Sequence, residues 1–476
     1  MQEIEKLIYA LFAENIHSQI DKIELLQASG SNRKYFRIFY QNKTLIGVYN
    51  DDRKENEAFI GFTKHFLHKG FNVPKIFGEN LDQNVYLLED LGDETLYSFL
   101  CKERQNADGF SSKLINIYKQ TLDGLIDIQL RGSEGIDFSL CYPRSAFDRQ
   151  SINWDLNYFK YYFLKLAKIP FNEQLLENDF NTLTDYLLEA KADYFLYRDF
   201  QSRNIMLKDD KVFFIDYQGG RRGALQYDVA SLLYDGKADI PQDIREELLT
   251  HYINRLQTIC PQAAENFKDY YYAFVFVRIM QAMGSYGFRG FYEKKTHFLQ
   301  SIPYALNNLK WLLANVDLKI HIPELWQVFH QLIHSETLNK ISQPKLTVKI
   351  YSFSFKNQQP IDNSGHGGGF VFDCRCLPNP GRYEAYQHKN GYDQEVIEFL
   401  ETKSEITLYF EYVKSLVDLA VRNYIERGFL HLSISFGCTG GQHRSVYFAN
   451  RLAQYIQKYY NVNVETIHLM QQQWIR

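Results

Sequence analysis

The stretch Tyr197-Arg198-Asp199-Phe200-Gln201-Ser202-Arg203-Asn204, followed by Val212-Phe213-Phe214-Ile215-Asp216, constrains this chain more than any other. Ile205-Met206-Leu207 and Val212-Phe213-Phe214-Ile215 read as two short strands, with Lys208-Asp209-Asp210-Lys211 as the turn between them. A hairpin of that size returns its second strand beside its first, which carries Asp216 back to Asn204. Mg²⁺ is a hard cation that wants oxygen ligands. Asn204 and Asp216 can share one while Asp199 faces an attacking hydroxyl. An isolated Asp-x4-Asn is more simply an N-cap and a turn. With the hairpin and the second Asp, the segment reads as a phosphoryl-transfer site.

Length and charge set the frame around it. The 476 residues allow about three lobes or domains. Hydrophobic content of 45% and charged content of 23% are ordinary for a globular protein with large cores. Net charge is −4 and pI 6.4, so no global attraction to nucleic acid or an anionic membrane exists. Aromatic content is 16%, with 35 Tyr and 36 Phe, mostly for packing, though sugar and nucleotide pockets also use aromatic walls. Six cysteines are scattered without a disulfide framework, and Cys374-Arg375-Cys376 alone cannot make a four-ligand zinc site. The N-terminus is acidic rather than signal-like, and no apolar run of about 18 residues predicts a membrane span. A reducing cytoplasm is the expected location.

Residues 34–40 and 43–49 are predicted to pair as strands, 55–69 to form a helix and 85–89 another strand. Helical periodicity governs 96–188 and returns at 227–334. The polar segment 336–345 is expected to be a linker, and a new α/β pattern begins at Leu346.

The order of small strand-rich lobe, connecting strand, helical lobe and hairpin Asp resembles the aminoglycoside phosphotransferase and choline kinase superfamily. Arg33-Lys34-Tyr35-Phe36-Arg37-Ile38, Asn72-Val73-Pro74-Lys75-Ile76, Leu87-Leu88-Glu89-Asp90-Leu91-Gly92 and Tyr227-Asp228-Val229-Ala230-Ser231-Leu232-Leu233 look closest to the N-acetylmuramate/N-acetylglucosamine anomeric kinases. The resemblance covers residues 1–335 and implies an α+β bilobal kinase-like domain, with an N-lobe at 1–92 and a C-lobe at 93–335. By it, Asp199 is the catalytic base, Asn204 and Asp216 hold Mg²⁺, and Glu89, Asp90 and Leu91 form the hinge against the adenine of ATP. Gly30, Ser31, Asn32 and Arg33 would turn over the phosphates.

Two departures are visible. The strand expected to carry a phosphate-pairing lysine reads Leu45-Ile46-Gly47-Val48-Tyr49-Asn50, so Glu57 on the next helix lacks its usual mate. Lys34, Arg33 or Arg53 could supply the charge; the alternative is a pseudokinase. Tyr197 stands where the pattern usually has His. Arg278, Gln281, Tyr286 and Arg289 are candidate acceptor residues, each equally readable as part of a solvated charged face.

A second phosphate loop follows. The strand Leu430 to Phe436 leads into Gly437-Cys438-Thr439-Gly440-Gly441-Gln442-His443-Arg444-Ser445 and then an amphipathic helix. Strand, Gly-rich loop and helix start make an anion site, because convergent N–H groups and the helix dipole both favour negative charge. Cys438-x5-Arg444 also matches the bare pattern of Cys-dependent phosphatases. With Phe372-Asp373-Cys374-Arg375-Cys376-Leu377-Pro378-Asn379-Pro380, the loop resembles the C-terminal domain of the RapZ family over residues 346–476. That resemblance implies an α/β domain binding a phosphorylated amino sugar such as glucosamine-6-phosphate, and a regulatory RNA. Asp373, Arg375, Asn379, Cys438, Thr439, Gly440, Gly441, His443, Arg444 and Ser445 are the candidate ligand residues. The 13 Lys and Arg against 12 Asp and Glu in 346–476 weaken the case for RNA. The reading is an ATP- and Mg²⁺-dependent amino-sugar kinase of peptidoglycan recycling with a metabolite-binding module. Its rival is a pseudokinase and metabolite-sensing, RNA-binding adaptor.

Overall fold

The computed structural model describes residues 2–26, 33–106, 110–339, 345–357, 359–361, 369–426 and 429–474. The chain divides into two compact units, Met1–Lys340 and Ile341–Arg476.

The first unit begins with an antiparallel sheet of five strands: β1 (Lys22–Leu25), β2 (Lys34–Tyr40), β3 (Lys43–Tyr49), β4 (Ile76–Asn80) and β5 (Val85–Glu89), in the order β1-β2-β3-β5-β4. Alternation sets its buried face. Phe36, Ile38 and Tyr40 point inward from β2 and meet Ile8, Leu11 and Phe12 of the helix Gln2–Ile16. Gln41 and Asn42, both at positive φ (45° and 60°), form the two-residue turn whose twist matches the strands it joins. The helix Arg53–His68 starts where Asp52 accepts the Glu55 N–H at 3.1 Å, and it buries Ala58, Phe59, Phe62 and Phe66.

Helices dominate the rest, with four short strands set among them: β6 (Tyr194–Leu196), β7 (Ile205–Lys208), β8 (Lys211–Phe214) and β9 (Arg221–Gly223). The β7–β8 hairpin forms as the sequence predicts. Asp209 and Asp210 take φ of 51° and 57° at its turn. Pairing extends one residue further, since Ile215 N–H donates to the Asn204 carbonyl at 3.2 Å. The antiparallel pair β6–β9 is an addition that periodicity does not show, because three residues are too few to express a period. Glu336–Asn339, expected in the linker, is a helical turn with Leu338 buried; residues 340–344 lie outside the described ones.

The second unit holds an all-parallel sheet of β10 (Thr347–Ser354), β11 (Gly369–Asp373), β12 (His431–Cys438) and β13 (Asn463–His468), ordered β11-β12-β10-β13. Central β12 is buried along most of its length, as a parallel strand covered by helices should be. Among the described residues no helix is long and apolar enough to cross a membrane.

Candidate active site

Strand β6 leads into the loop Tyr197 to Asn204, and one buried carboxylate fixes the start of its backbone. Asp228, on the helix Gln226–Leu233, accepts the N–H groups of Tyr197 and Arg198 at 2.8 and 2.9 Å and the Gln129 amide at 3.1 Å. Burial pushes its carboxyl up to about 7 against those hydrogen bonds. Arg198 sits at φ 81° and pairs with both oxygens of Asp155 at 2.7 and 2.6 Å, with its guanidinium carbon 5.1 Å from the ring centres of both Phe147 and Tyr227. Tyr197 is fully buried and donates its hydroxyl to the Ile215 carbonyl, linking the loop to the end of the hairpin.

Asp199 emerges from this frame. Burial and the nearby Asp216 raise its carboxyl above the ordinary range, while Arg198, Arg278 and Arg221 oppose the rise. A Cβ on Gly219 would lie 3.5 Å from Asp199 Oδ2, so that side of the carboxylate is approached by bare backbone. Asn204 Nδ2 donates to the Asp199 carbonyl at 2.8 Å and to Asp216 Oδ2 at 3.1 Å. Asp216 takes φ 70°, and its Oδ1 accepts from Gln218 Nε2 at 2.7 Å and Arg33 Nη1 at 3.2 Å. Asp199, Asn204 and Asp216 are therefore brought together. Asn204 uses its amide nitrogen inside the cluster, which leaves its oxygen as a donor to metal. Among the described residues no group of three or more His, Cys, Asp or Glu gathers as a protein-only cage. An Asn and an Asp nevertheless fit Mg²⁺, which keeps waters and takes phosphate oxygens as its other ligands.

The cation that lies beside Asp216 is Arg33, one residue before β2. Arg33 is 5% exposed and places Nη2 2.7 Å from Glu55 and Nη1 3.2 Å from Asp216. Asn50, directly after β3, donates to the other Glu55 oxygen at 2.8 Å. The helix acid that meets the cation is Glu55. Glu57 instead pairs with Arg53 at 2.9 Å, and Arg53 also reaches Asp82, so the structure does not bring Glu57 or Arg53 to the site. Lys34 packs its ammonium 5.8 Å from the Tyr49 ring centre. Gly30, Ser31 and Asn32 lie outside the described residues.

At the predicted hinge, Glu89 pairs with Lys208 at 2.9 Å and Asp90 accepts from Arg37 at 3.2 Å, while Leu91 is buried. With both carboxylates engaged, a base bound there would be met by main chain. Of the acceptor candidates, Arg278 is 8% exposed, donates to Ser231 Oγ at 2.9 Å and Gln281 Oε1 at 2.5 Å, and acts on Asp199. Tyr286 lies near Gly236, with burial pushing its hydroxyl up to about 12 and Asp235 adding to the rise. Arg289 pairs with Glu293 at 3.1 Å. Sequence reasoning missed the roles of Asp155, Asp228, Glu55 and Arg221. Asp228 alone had a signal, inside the segment that carried the resemblance.

In the second unit the two motifs meet. Arg444, 3% exposed, donates to the carbonyls of Arg375 and Leu377 at 3.1 and 2.7 Å. His443 Nε2 lies 2.8 Å from the Tyr386 carbonyl, and burial lowers its pKa. A Cβ on Gly381, whose N–H Asn379 caps at 3.2 Å, would be 3.2 Å from His443. Asp373 and Arg375 form a two-point pair at 3.0 and 2.7 Å. Gly441 takes φ 66° and donates its N–H to Cys438 Sγ at 3.2 Å; Ser445 Oγ lies 3.2 Å from the same sulfur. Ser354 holds the Thr439 carbonyl at 2.7 Å, and a Cβ on Gly440 would meet nothing within 4 Å. Cys438 is buried and the Arg444 guanidinium is turned to carbonyls, which argues against a thiolate phosphatase.

Residues 346–470 match the model of the RapZ C-terminal domain. A nucleotide-binding protein of Thermosipho africanus is 41% identical over 138 residues, 29% of this chain and 47% of that protein. One from Hahella chejuensis is 38% identical over 124 residues, 26% of this chain and 41% of that protein. The chain thus spans about half the length of the curated relatives it matches. Among solved structures, a choline kinase from Streptococcus pneumoniae aligns at 14% identity and a TM-score of 0.41, covering 64% of this chain and 99% of that one. One from Cryptosporidium parvum aligns at 14% and 0.46, covering 68% and 99%. Residues 22–265, more than half of the chain, match the phosphotransferase enzyme family, and the chain belongs to that family.

Proposed function

We propose that the first unit transfers a phosphoryl group from ATP to a hydroxyl of an amino sugar of the N-acetylglucosamine or N-acetylmuramate type, at its anomeric position. The observation that carries this reading is the single cluster in which Asn204 ties the Asp199 main chain to the Asp216 carboxylate while Arg33 joins Asp216 to Glu55. Asp199 accepts the acceptor's proton as the hydroxyl attacks; positioned bases of this kind contribute about 10²–10⁴-fold. Mg²⁺, held by Asn204 and Asp216, offsets charge on the phosphates when bound. Arg33 stands in for the strand lysine, and Glu55 orients it. A screen of ATP-dependent transfer to N-acetylhexosamines, aminoglycosides and choline-like alcohols tests the substrate class. Transfer to an N-acetylhexosamine is expected; transfer only to the others would refute the amino-sugar reading.

The second unit, on the same proposal, binds a phosphorylated amino sugar such as glucosamine-6-phosphate. Its support is the meeting of Arg444 with the Arg375 segment and the open space around Gly440 in the same glycine-rich loop. Calorimetric titration with glucosamine-6-phosphate should show saturable binding that Thr439→Pro weakens. The absence of a lysine from Leu45 to Asn50 favours a second reading, a nucleotide-binding pseudokinase, and ATP binding without turnover across the whole panel would establish it.

A further inference from the structure

Two buried guanidiniums that act on Asp199 have, among the described residues, no carboxylate within ion-pairing distance, although Asp155 and Asp199 also act on Arg221. Arg278 donates to a serine hydroxyl and a glutamine oxygen. Arg221, on β9, donates Nε at 3.1 Å to the carbonyl of Gly219, the same glycine that Asp199 approaches. They are 8% and 7% exposed, and among the described residues neither makes an ion pair, whereas Arg198 beside them is fully matched by Asp155. Burial lowers the pKa of Arg221, and the Arg198 charge adds to that. A third cation lies one helix end away. Lys237 also lacks an ion pair among the described residues, and burial pushes it down to about 8, with Arg203 acting in the same direction. Asp235, the acid of this corner, already accepts from Ser202 at 2.6 Å.

Burying an unmatched cation is costly, and such groups persist where a ligand completes them. Resting on the phosphotransfer reading above, we infer that the hydroxyl acceptor also carries an anionic group, a carboxylate or a phosphate monoester, which Arg278 and Arg221 hold beside Asp199. A guanidinium meets either anion with two parallel N–H donors, so the pair would fix the acceptor's orientation as well as its charge. The same cations repel a quaternary ammonium or a polyamine, which removes cationic alcohols from the acceptor class. These arginines also favour the ionised form of Asp199, and that effect touches every acceptor alike.

The test compares one N-acetylhexosamine in three forms: neutral, bearing an ether-linked carboxylic acid, and bearing a phosphate monoester. Initial rates with the full chain and MgATP give kcat/KM for each. An acidic form is expected to be preferred over the neutral one by about tenfold or more, the scale of one charged hydrogen-bonded contact. Arg278→Gln and Arg221→Gln should collapse that ratio toward one, mainly through KM. Arg278→Lys should keep part of it, which a packing role would not. A ratio near one in the wild type, or a ratio unchanged in both Gln variants, overturns the inference, and the two acidic arms decide between carboxylate and phosphate. If no form is phosphorylated, the kinase reading falls. Calorimetric binding of the three sugars to the same chain with a non-hydrolysable ATP analogue then decides the anion subsite separately: equal affinities reject it, and a preference lost in Arg278→Gln supports it.

Discussion

At the scale of single residues, the site depends on where charges are left unmatched and where they are matched twice. Arg33 is matched twice, by Glu55 and Asp216. Arg33→Met should weaken ATP binding by about tenfold or more, since removing one partner strands two carboxylates. Arg33→Lys should recover part of that in the same titration. Asp199 gives a pH prediction with a definite sign. Its folded-state carboxyl is raised by burial and by Asp216, and as the proposed base it would act only when ionised. Activity is therefore expected to rise as pH climbs through that raised value. Arg278→Gln removes an opposing cation and should move the acid limb of kcat/KM to higher pH. The Asp-x4-Asn spacing and the hairpin Asp were legible in the sequence because they are local. Glu55 was confused with Glu57 because both are acidic and lie on one helix. Two helical positions differ by about 200° around the axis, and only packing shows which one faces inward. Arg198 and Asp155 are separated by 43 positions, a pairing that no local pattern carries.

At the scale of elements, the helix Arg53–His68 packs on β6 and on Tyr217, the residue after Asp216. Phe66, fully buried, meets Phe195 of β6 and Tyr217 at 5.2 Å each, and Thr63 shares a hydrogen bond with Tyr217. Phe66→Ala should cost about 3–5 kcal/mol in denaturant unfolding, as large core truncations do. It should also lower kcat, because Glu55 rides on the same helix. The clamp between the helix Gln226–Leu233 and β6 has its own pH signature. Asp228 is held up to about 7 from an ordinary 3.8, so between those values the folded state binds more protons than the unfolded chain. Stability should fall as pH rises across that window, and Asp228→Asn should flatten the slope. Strand alternation and the two hairpin turns made β2, β3, β7 and β8 readable. The three-residue pair β6–β9 was not, since its register is set by Phe195 and Leu196 packing over Gly220 and Gly223.

At the scale of the whole molecule, two compact units each match a different family model, one over 22–265 and one over 346–470. A chain cut within 340–344 should therefore yield a first unit that keeps phosphoryl transfer. If the second unit reports on the first, glucosamine-6-phosphate must change the affinity for ATP, and ATP must change that for glucosamine-6-phosphate by the same factor. The kinase plan was legible because the order of lobes is written linearly along the chain. The placement of Arg221 and Arg278 near Asp199 was not, because the two come from separate elements.

The most direct measurement follows product by ³¹P NMR in MgATP and an N-acetylhexosamine, with wild type and Asp199→Asn side by side at equal nucleotide occupancy. Wild type should form a new sugar phosphate ester, and Asp199→Asn should slow it by about 10²–10⁴-fold while still binding ATP. Undiminished ester formation in Asp199→Asn would contradict the role given to this carboxylate.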